Sequence, residues 1–343
     1  MSSGKKILVT GGTGYIGSHT AVSLIEQGYE VIIADNLINS KEEVLDAIEK
    51  ITGKKAIFEN VDLCDREATE KVFAKHKPDS LIHFAALKAV GESVEKPLWY
   101  YRNNLTSLLN TIELAIKHGT KNYVFSSSCS VYGEPDILPV SESAELKPAE
   151  SPYANTKRIS EEILRDTANV SSLKIICLRY FNPVGSHKSA LIGEYPNQAP
   201  MNLMPVITQA AIGKRDQLKV FGSDYDTADG SCVRDYIHVV DLADAHLIAT
   251  ERMIKGNEKS NYEIFNIGTG TGLTVLQVIK AFEKYTGVKL NYEVGDRRPG
   301  DVEKVYANTN FAKKELGWES RLGIKEMVES AWAWEKHLKE KSK

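Results

Sequence analysis

Three short stretches of this 343-residue chain carry residue types and spacings that can do chemistry. The first is Gly11-Gly12-Thr13-Gly14-Tyr15-Ile16-Gly17, in which Gly12, Gly14 and Gly17 make a GxGxxG spacing. Glycines so placed permit a tight turn, let the backbone approach a pyrophosphate, and let a helix pack closely on a strand. The first amides of the following helix then face the phosphates. Asp35, 18 residues after Gly17, ends the next apolar run. A carboxylate there accepts from an adenosine ribose and repels a 2′-phosphate, so the loop predicts NAD rather than NADP.

The second stretch is Ser126-Ser127-Ser128-Cys129-Ser130-Val131-Tyr132-Gly133, and the third is Ser151-Pro152-Tyr153-Ala154-Asn155-Thr156-Lys157. Ser151 suits a helix cap and Pro152 the first helical position. That start sets Tyr153 and Lys157 one turn apart on one helix face. A cation near a phenol favours the phenolate, so the pair predicts a Tyr153 pKa below the usual value of about 10. A tyrosine tuned in this way takes the proton of a sugar hydroxyl while hydride leaves for NAD. Ser128 is the candidate for the hydroxyl that hydrogen-bonds the reacting oxygen. Tyr153, Ser128 and Lys157 are therefore the candidate catalytic residues.

Strands must end beneath these loops. Strand candidates are Lys6–Thr10, Glu30–Asp35, Ala56–Val61, Ser80–Phe84, Tyr123–Ser126 and Lys174–Tyr180. Several are continuous apolar runs, as in Val31-Ile32-Ile33, which is how strands buried on both faces of a parallel sheet read. Helical patterns lie between them, at about Gly14–Gln27 and Ser107–His118. The alternation predicts an α/β fold, a Rossmann-type doubly wound parallel sheet. After Tyr180 the texture shifts to Gly, Pro, Asn and Asp. A helix is expected over 241–254 with Asp241 as its cap, then strand Glu263–Ile267, then a helix from Val275. The second glycine run, Gly268 to Gly272, fails the fingerprint at Leu273. Thr274 and Gln277 there have the spacing of a capping box. We expect an NAD-binding domain over residues 1–180 and a smaller α/β substrate-binding domain over 181–343, partly interleaved with the first.

The order of glycine loop, serine loop and YxxxK resembles the extended short-chain dehydrogenase/reductase superfamily. Within it, six stretches resemble the UDP-glucose 4-epimerase family: Gly11–Thr20 (GGTGYIGSHT), Asp35–Ser40 (DNLINS), His83–Pro97 (HFAALKAVGESVEKP), Arg179–Gly185 (RYFNPVG), Asn202–Pro205 (NLMP) and Val233–Val239 (VRDYIHV). The resemblance implies tightly bound NAD, hydride removal from sugar C4, rotation of a 4-keto intermediate, and hydride return to its other face. It also implies Tyr153 as base with Ser128 as partner. NAD contacts would fall on Gly11, Gly14, Tyr15, Ile16 and Gly17, on Asp35, Asn36, Leu37, Asn39 and Ser40, and on Asp62 and Leu63. Phe84, Ala85, Ala86, Lys88, Asn103, Ser128, Tyr153, Lys157 and Phe181 complete that set. The UDP-sugar would meet Lys88, Ser128, Tyr153, Asn182, Asn202, Leu203 and the segment Leu218, Lys219, Val220 and Phe221. Arg234 and Arg298 would meet the diphosphate, whose oxygens suit guanidinium forks, and Asp301 a ribose. At Val305 the family carries a bulky Tyr or a smaller residue. Valine predicts a pocket that also admits the 2-acetamido group of UDP-N-acetylglucosamine. The family is commonly dimeric, and apolar residues in Leu105–Leu114 and Ile159–Leu164 are consistent with a homodimer and equally with helices that face the sheet.

Composition excludes several classes. Apolar residues are 42% and charged residues 26%, as in soluble globular proteins. With 43 Lys plus Arg against 46 Asp plus Glu, the net charge is −3, which argues against a broad nucleic-acid surface. No stretch approaches the roughly 20 apolar residues of a membrane span, and the start is not read as a signal peptide. The cysteines, Cys64, Cys129, Cys177 and Cys232, form no CxxC pair and predict reduced thiols in the cytoplasm. No HExxH supports a metal. A sugar-nucleotide 4,6-dehydratase would need an acid pair just after Ser128, where Cys129-Ser130 stand. A non-catalytic NAD sensor would be free to lose Tyr153 or Lys157, and both are present.

Overall fold

The structure, a computed structural model, describes residues 4–195, 202–298 and 301–341. In the first half strands alternate with helices, two of which separate β4 from β5: β1 (Lys6–Thr10), α1 (Tyr15–Glu26), β2 (Glu30–Asp35), α2 (Glu43–Thr52), β3 (Ile57–Asn60), α3 (Arg66–His76), β4 (Ser80–His83), α4 (Val90–Glu95), α5 (Pro97–His118), β5 (Asn122–Ser126), α6 (Pro152–Val170) and β6 (Lys174–Tyr180). Shorter elements follow: β7 (Asn182–Val184), α7 (Leu203–Ala211), β8 (Leu218–Phe221), β9 (Val233–His238), α8 (Val239–Ile254), β10 (Tyr262–Ile267), β11 (Gly272–Thr274), α9 (Val275–Thr286), β12 (Tyr292–Gly295), β13 (Lys304–Val305) and α10 (Ile324–Lys341).

Seven parallel strands form the main sheet in the order β10-β6-β5-β4-β1-β2-β3. The chain reverses direction across the sheet between β1 and β4, and open α/β sheets bind ligands at the carboxyl ends of the strands at such a point. Alternate residues of one strand serve the two faces. Ile7 and Val9 pack with Ile33, Ile82 and helices α1 and α8, whereas Leu8 packs with Ile32, Leu81 and helices α3, α5 and α6. Burial on both faces is why these strands read as unbroken apolar runs. A separate core of Met204, Ile207, Leu218, Val220, Phe282, Met327 and Val328 closes the second half. β10 comes from that half of the chain, yet it lies against β6.

Two helices differ from the sequence expectation. α5 starts at Pro97, not Ser107, because Pro at the first position opens it and Arg102, Asn103 and Asn104 mask its apolar period. α8 starts at Val239 because β9 runs directly into it, and the cap is His238, whose Nδ1 accepts from Val240 N at 3.1 Å. Asp241 instead accepts from the backbone of Arg321 at 2.9 Å and Leu322 at 2.8 Å. Thr274 and Gln277 do form the capping box at the start of α9.

The glycine loop tolerates no side chain at its crossing point. A Cβ on Gly17 would lie 2.3 Å from the Gly11 carbonyl oxygen and 2.8 Å from Gly12 Cα, both backbone atoms that cannot swing aside. Gly17→Ala is expected to cost about 1–3 kcal/mol through overpacking and to weaken retention of bound nucleotide. Urea unfolding and the cofactor content of the purified protein measure both effects.

Candidate active site

The cofactor cleft forms where β1, β2 and β4 end. Gly11 holds φ at +67°, and a Cβ there would lie 2.8 Å from Ala85 N. A Cβ on Gly12 would strike Ile33 at 2.8 Å. Gly14 is the N-cap of α1 and offers no side-chain cap, so the helix start is open to an anion. Asp35, at the end of β2, accepts from Leu37 N at 2.9 Å and Thr13 N at 3.2 Å, and from Ser40 Oγ at 3.3 Å. A bare, glycine-walled helix start beside an anchored carboxylate fits the pyrophosphate and adenosine ribose of a dinucleotide.

The remaining cofactor candidates line the same edge. Leu37 adopts φ +59°, and Asn36 Oδ1 accepts from Ile38 N at 3.2 Å, which shapes the loop after β2. Asn39 is exposed on that loop. Asp62 accepts from Cys64 N at 2.9 Å, and Leu63 is buried with its carbonyl bonded by Asn110 Nδ2 at 2.8 Å. Phe84 lies 4.6 Å from the His246 ring, and Asn103 Nδ2 donates to Asn104 at 3.0 Å. Ile16 packs beside the core, and Ala85 and Ala86 are half-buried next to Gly11. Tyr15 donates to Gly185 O at 2.6 Å, tying α1 to the second half.

The serine loop leaves the end of β5 as a short 3₁₀ turn, Cys129–Tyr132, capped by Ser128. Ser128 Oγ accepts from Ser130 N at 3.2 Å and from Ser130 Oγ at 2.9 Å. α6 begins as expected, with Ser151 Oγ accepting from Ala154 N at 3.2 Å and Pro152 next. Tyr153 is thereby buried against Leu87 and Tyr100, with the Ser128 hydroxyl near enough to its phenol to favour the ionised form.

The charge balance differs from the sequence expectation. Burial pushes the Tyr153 hydroxyl well above the usual phenol value, Tyr180 adds to this, and the Ser128 hydroxyl pulls the other way. Lys157 does not touch the phenol. Its Nζ donates to Ser126 O at 2.7 Å and lies 4.7 Å above the Phe125 ring and 6.0 Å from the Tyr153 ring centre. Burial also lowers Lys157 to about 8, against the upward pull of Glu161 and Cys177. A helical spacing sets the face that two residues share, but the surrounding desolvation sets their charge states.

On the substrate side, Asp301 gathers the two candidate diphosphate arginines. Arg298 Nη2 lies 2.7 Å and Arg234 Nη2 3.8 Å from Asp301 Oδ1. The Arg298 guanidinium also lies 5.5 Å from the Phe221 ring centre. Along β8, alternation sends Leu218 and Val220 into the core, so Lys219 and Phe221 are the side chains left facing outward. Asn202 caps α7 by position only, Leu203 is its first residue, and Asn202 Nδ2 donates to Glu194 at 3.0 Å. Lys88 pairs with the same Glu194 at 3.0 Å. Asn182 is half-buried on β7. Phe181 and Val305 share a cluster with Val131, Tyr132, Val140 and Ala307.

Four residues of the site escaped the sequence reading. Tyr180 ends β6 beside Tyr153, and burial raises its phenol while Ser126 works against that rise. Its place at the carboxyl end of a parallel strand was the available signal. Asn104 pins the loop after β4 to both helices, accepting from Leu87 N at 2.8 Å and donating to Leu87 O at 3.0 Å and to Thr156 Oγ1 at 3.1 Å. Glu194 bridges Lys88 and Asn202. Asp235, fully buried beside Arg234, accepts from Thr269 N at 2.8 Å, Gly270 N at 3.0 Å and Ala307 N at 3.1 Å. No local pattern flags these last three, because their partners are distant in sequence.

Among the described residues, no group of His, Cys, Asp and Glu could hold a metal ion, and no helix is long and apolar enough to cross a membrane. A family model described as GDP-mannose 4,6 dehydratase matches residues 8–331. The UDP-glucose 4-epimerase of Bacillus subtilis is 50% identical over 330 residues, 96% of each chain. A crystal structure of UDP-glucose-4-epimerase from Stenotrophomonas maltophila with bound NAD and formylated UDP-arabinopyranose superposes with a TM-score of 0.95 at 43% identity, covering 98% of this chain and 99% of that one. UDP-glucose 4-epimerase from Bifidobacterium longum, in complex with NAD+ and UDP, gives 0.92 at 45% identity, covering 97% and 98%. Extensive identity over both full lengths, together with the assembled glycine loop, serine loop and YxxxK helix, places this chain in the UDP-glucose 4-epimerase family.

Proposed function

We propose that this protein interconverts UDP-galactose and UDP-glucose by transient oxidation at C4, using tightly bound NAD. The observation that carries the reading is the meeting of Ser128, Tyr153 and Lys157 at the end of β5, beside the strand-order reversal where the cleft lies. Gly11, Gly14, Tyr15, Ile16 and Gly17 would hold the pyrophosphate and Asp35 the adenosine ribose. The residues from Asn36 to Ser40, Asp62, Leu63, Phe84 to Lys88, Asn103 and Phe181 would complete the cofactor contacts. Residues 1–180 would supply most of the cofactor site and 181–343 most of the UDP-sugar site.

The bound dinucleotide supplies one thing, a carbon that accepts hydride from C4 and gives it back. The chain does the rest. Tyr153 takes the proton of the C4 hydroxyl as C4–H leaves, and Ser128 donates to the oxygen as it becomes a carbonyl. Lys157 holds a positive charge behind the phenol. Arg234 and Arg298 grip the diphosphate while the 4-keto sugar turns, with Asp301 on a ribose. Asn182, Asn202, Leu203 and the strand Leu218–Phe221 line its path. Tyr153 then returns the proton. A dehydratase reading lacks support, because Cys129 and Ser130 stand where it needs an acid pair.

Val305 is buried beside Phe181, and its small side chain favours a pocket that also admits a 2-acetamido group. A homodimer through α5 and α6 is part of the same reading. Leu108, Ile112, Leu114 and Leu164 face the sheet, which leaves exposed Leu98, Trp99, Leu109 and Ile116 as the outward apolar residues of α5. A cytoplasmic location fits the unpaired thiols of Cys64, Cys129, Cys177 and Cys232.

Purified protein should convert UDP-galactose to UDP-glucose with no added NAD. Tyr153→Phe should lower kcat by about 10²–10⁴-fold, the usual contribution of a positioned acid–base group, while leaving cofactor content near wild type. A Tyr153→Phe enzyme with wild-type turnover would sink the mechanism. The wild type should also turn over UDP-N-acetylglucosamine, and Val305→Tyr should reduce that activity by at least about tenfold relative to UDP-glucose. An equal effect on both substrates rules out Val305 as the discriminator.

A further inference from the structure

Glu161 takes no part in the mechanism above, yet it lies one helical turn beyond Lys157 and is 3% exposed. Its Oε1 accepts from Ser127 Oγ at 2.5 Å and from Arg179 Nε at 3.0 Å. Its Oε2 accepts from Arg179 Nη2 at 2.6 Å and Nε at 3.2 Å. One carboxylate therefore joins helix α6, strand β6 and the serine loop. Ser127 sits between two residues of the site. Ser126 carries the carbonyl that receives Lys157, and Ser128 carries the hydroxyl that acts on the Tyr153 phenol. A displacement of Ser127 moves both.

The titratable groups facing Lys157 are Tyr153 and Glu161 on its own helix, Cys177 on β6 and His83 on β4. Tyr262 on β10 faces Glu161 and Cys177 from behind. Burial keeps His83 near 3 and raises the thiol of Cys177 and the phenols of Tyr180 and Tyr262, so none of these adds a charge beside Lys157. Arg179 is charged and committed to Glu161. Glu161 is the one carboxylate among them.

We propose that Glu161 is a positioning residue of the reaction: through Ser127 it holds in place the serine loop whose Ser126 carbonyl receives Lys157, and its carboxylate lies one helical turn beyond that lysine on the same helix. This rests on the reading of Tyr153 as base and Lys157 as its cationic neighbour.

The test is Glu161→Gln in the holoenzyme. The amide keeps the shape and an acceptor for Ser127 or Arg179, and it removes the charge. Lys157 then faces burial and an uncompensated Arg179, so its ammonium is lost at lower pH. The alkaline limb of the kcat profile should move down by about one pH unit, which is about a tenfold loss on that limb, with KM for UDP-galactose within about twofold. Glu161→Asp, which retains the charge, should restore the limb. In a Lys157→Met background, Glu161→Gln should produce no shift, because the group it acts through is gone. A folded, cofactor-loaded Glu161→Gln enzyme with an unmoved limb overturns the proposal. Should that variant not yield soluble holoenzyme, Ser127→Ala decides, since it leaves the ion pair intact. A fall in kcat of about five- to tenfold with cofactor retained supports the strap, and wild-type kcat overturns it. Tyr153→Phe separates the two levels. An active Tyr153→Phe enzyme removes the underlying reading, whereas an inactive one beside a wild-type-like Glu161→Gln removes only the role of Glu161.

Discussion

The buried ion pair between Glu161 and Arg179 organises both halves of the molecule. Each side chain is 4% exposed, and their closest approach is 2.6 Å. Removing two charges from water costs several kcal/mol per ion, so such a pair persists only when its remaining donors and acceptors are filled. Here they are. Ser127 completes Glu161, while Arg179 Nη1 reaches Glu142 O at 3.3 Å and the guanidinium lies 4.8 Å from the Tyr132 ring centre. Tyr132 donates to Asn266 Oδ1 at 2.6 Å, and Asn266 Nδ2 donates to Val140 O at 2.9 Å. A single polar network thus runs from α6 through β6 to β10. Half-satisfied, it would be less stable than an apolar core; complete, it specifies one arrangement.

The same low-polarity surroundings act on the two proposed reaction partners in opposite directions. Burial raises the Tyr153 phenol and lowers the Lys157 ammonium, so each is pushed toward its neutral form. A site that needs a phenolate and an ammonium therefore requires specific opposing contacts. The Ser128 hydroxyl provides one at Tyr153. The Ser126 carbonyl and the Glu161 carboxylate provide others at Lys157. The uncharged state is the default of the pocket, and the hydrogen bonds are what work against it.

The second half of the chain is held together by carboxylates that grip backbone. Asp235 closes β9, the loop after β10 and the residue after Tyr306 around one side chain, beside Arg234. Asp241 fixes the turn before α10, and Asp301 brings Arg234 and Arg298 together. Burial raises the carboxyls of Asp235 and Asp241, and their backbone donors work against that rise. In a chain of net charge −3, the proposed anion site draws on arginines and an open helix start placed locally rather than on overall charge.

Local signals in the sequence determined much of this protein. Unbroken apolar runs marked the parallel strands, and Ser151-Pro152 located the start of α6. The spacings from Gly11 to Gly17 and from Tyr153 to Lys157 marked the glycine loop and the first turns of α6, the two segments of the candidate site. Each of these depends on neighbours a few residues away, through backbone sterics, helix periodicity or two-faced burial. The beginning of α5 was hidden because polar residues interrupt its apolar period, and Asp241 looked like a cap because no local feature reveals that Arg321 and Leu322 need its carboxylate. Only the tertiary structure decided that Lys157 turns to the Ser126 carbonyl, that Glu194 bridges Lys88 and Asn202, and that Arg234, Arg298 and Asp301 meet. The physical reason is that charge states and hydrogen-bond partners follow from desolvation and from groups far along the chain, and these exist only once the sheet has brought its strand ends together.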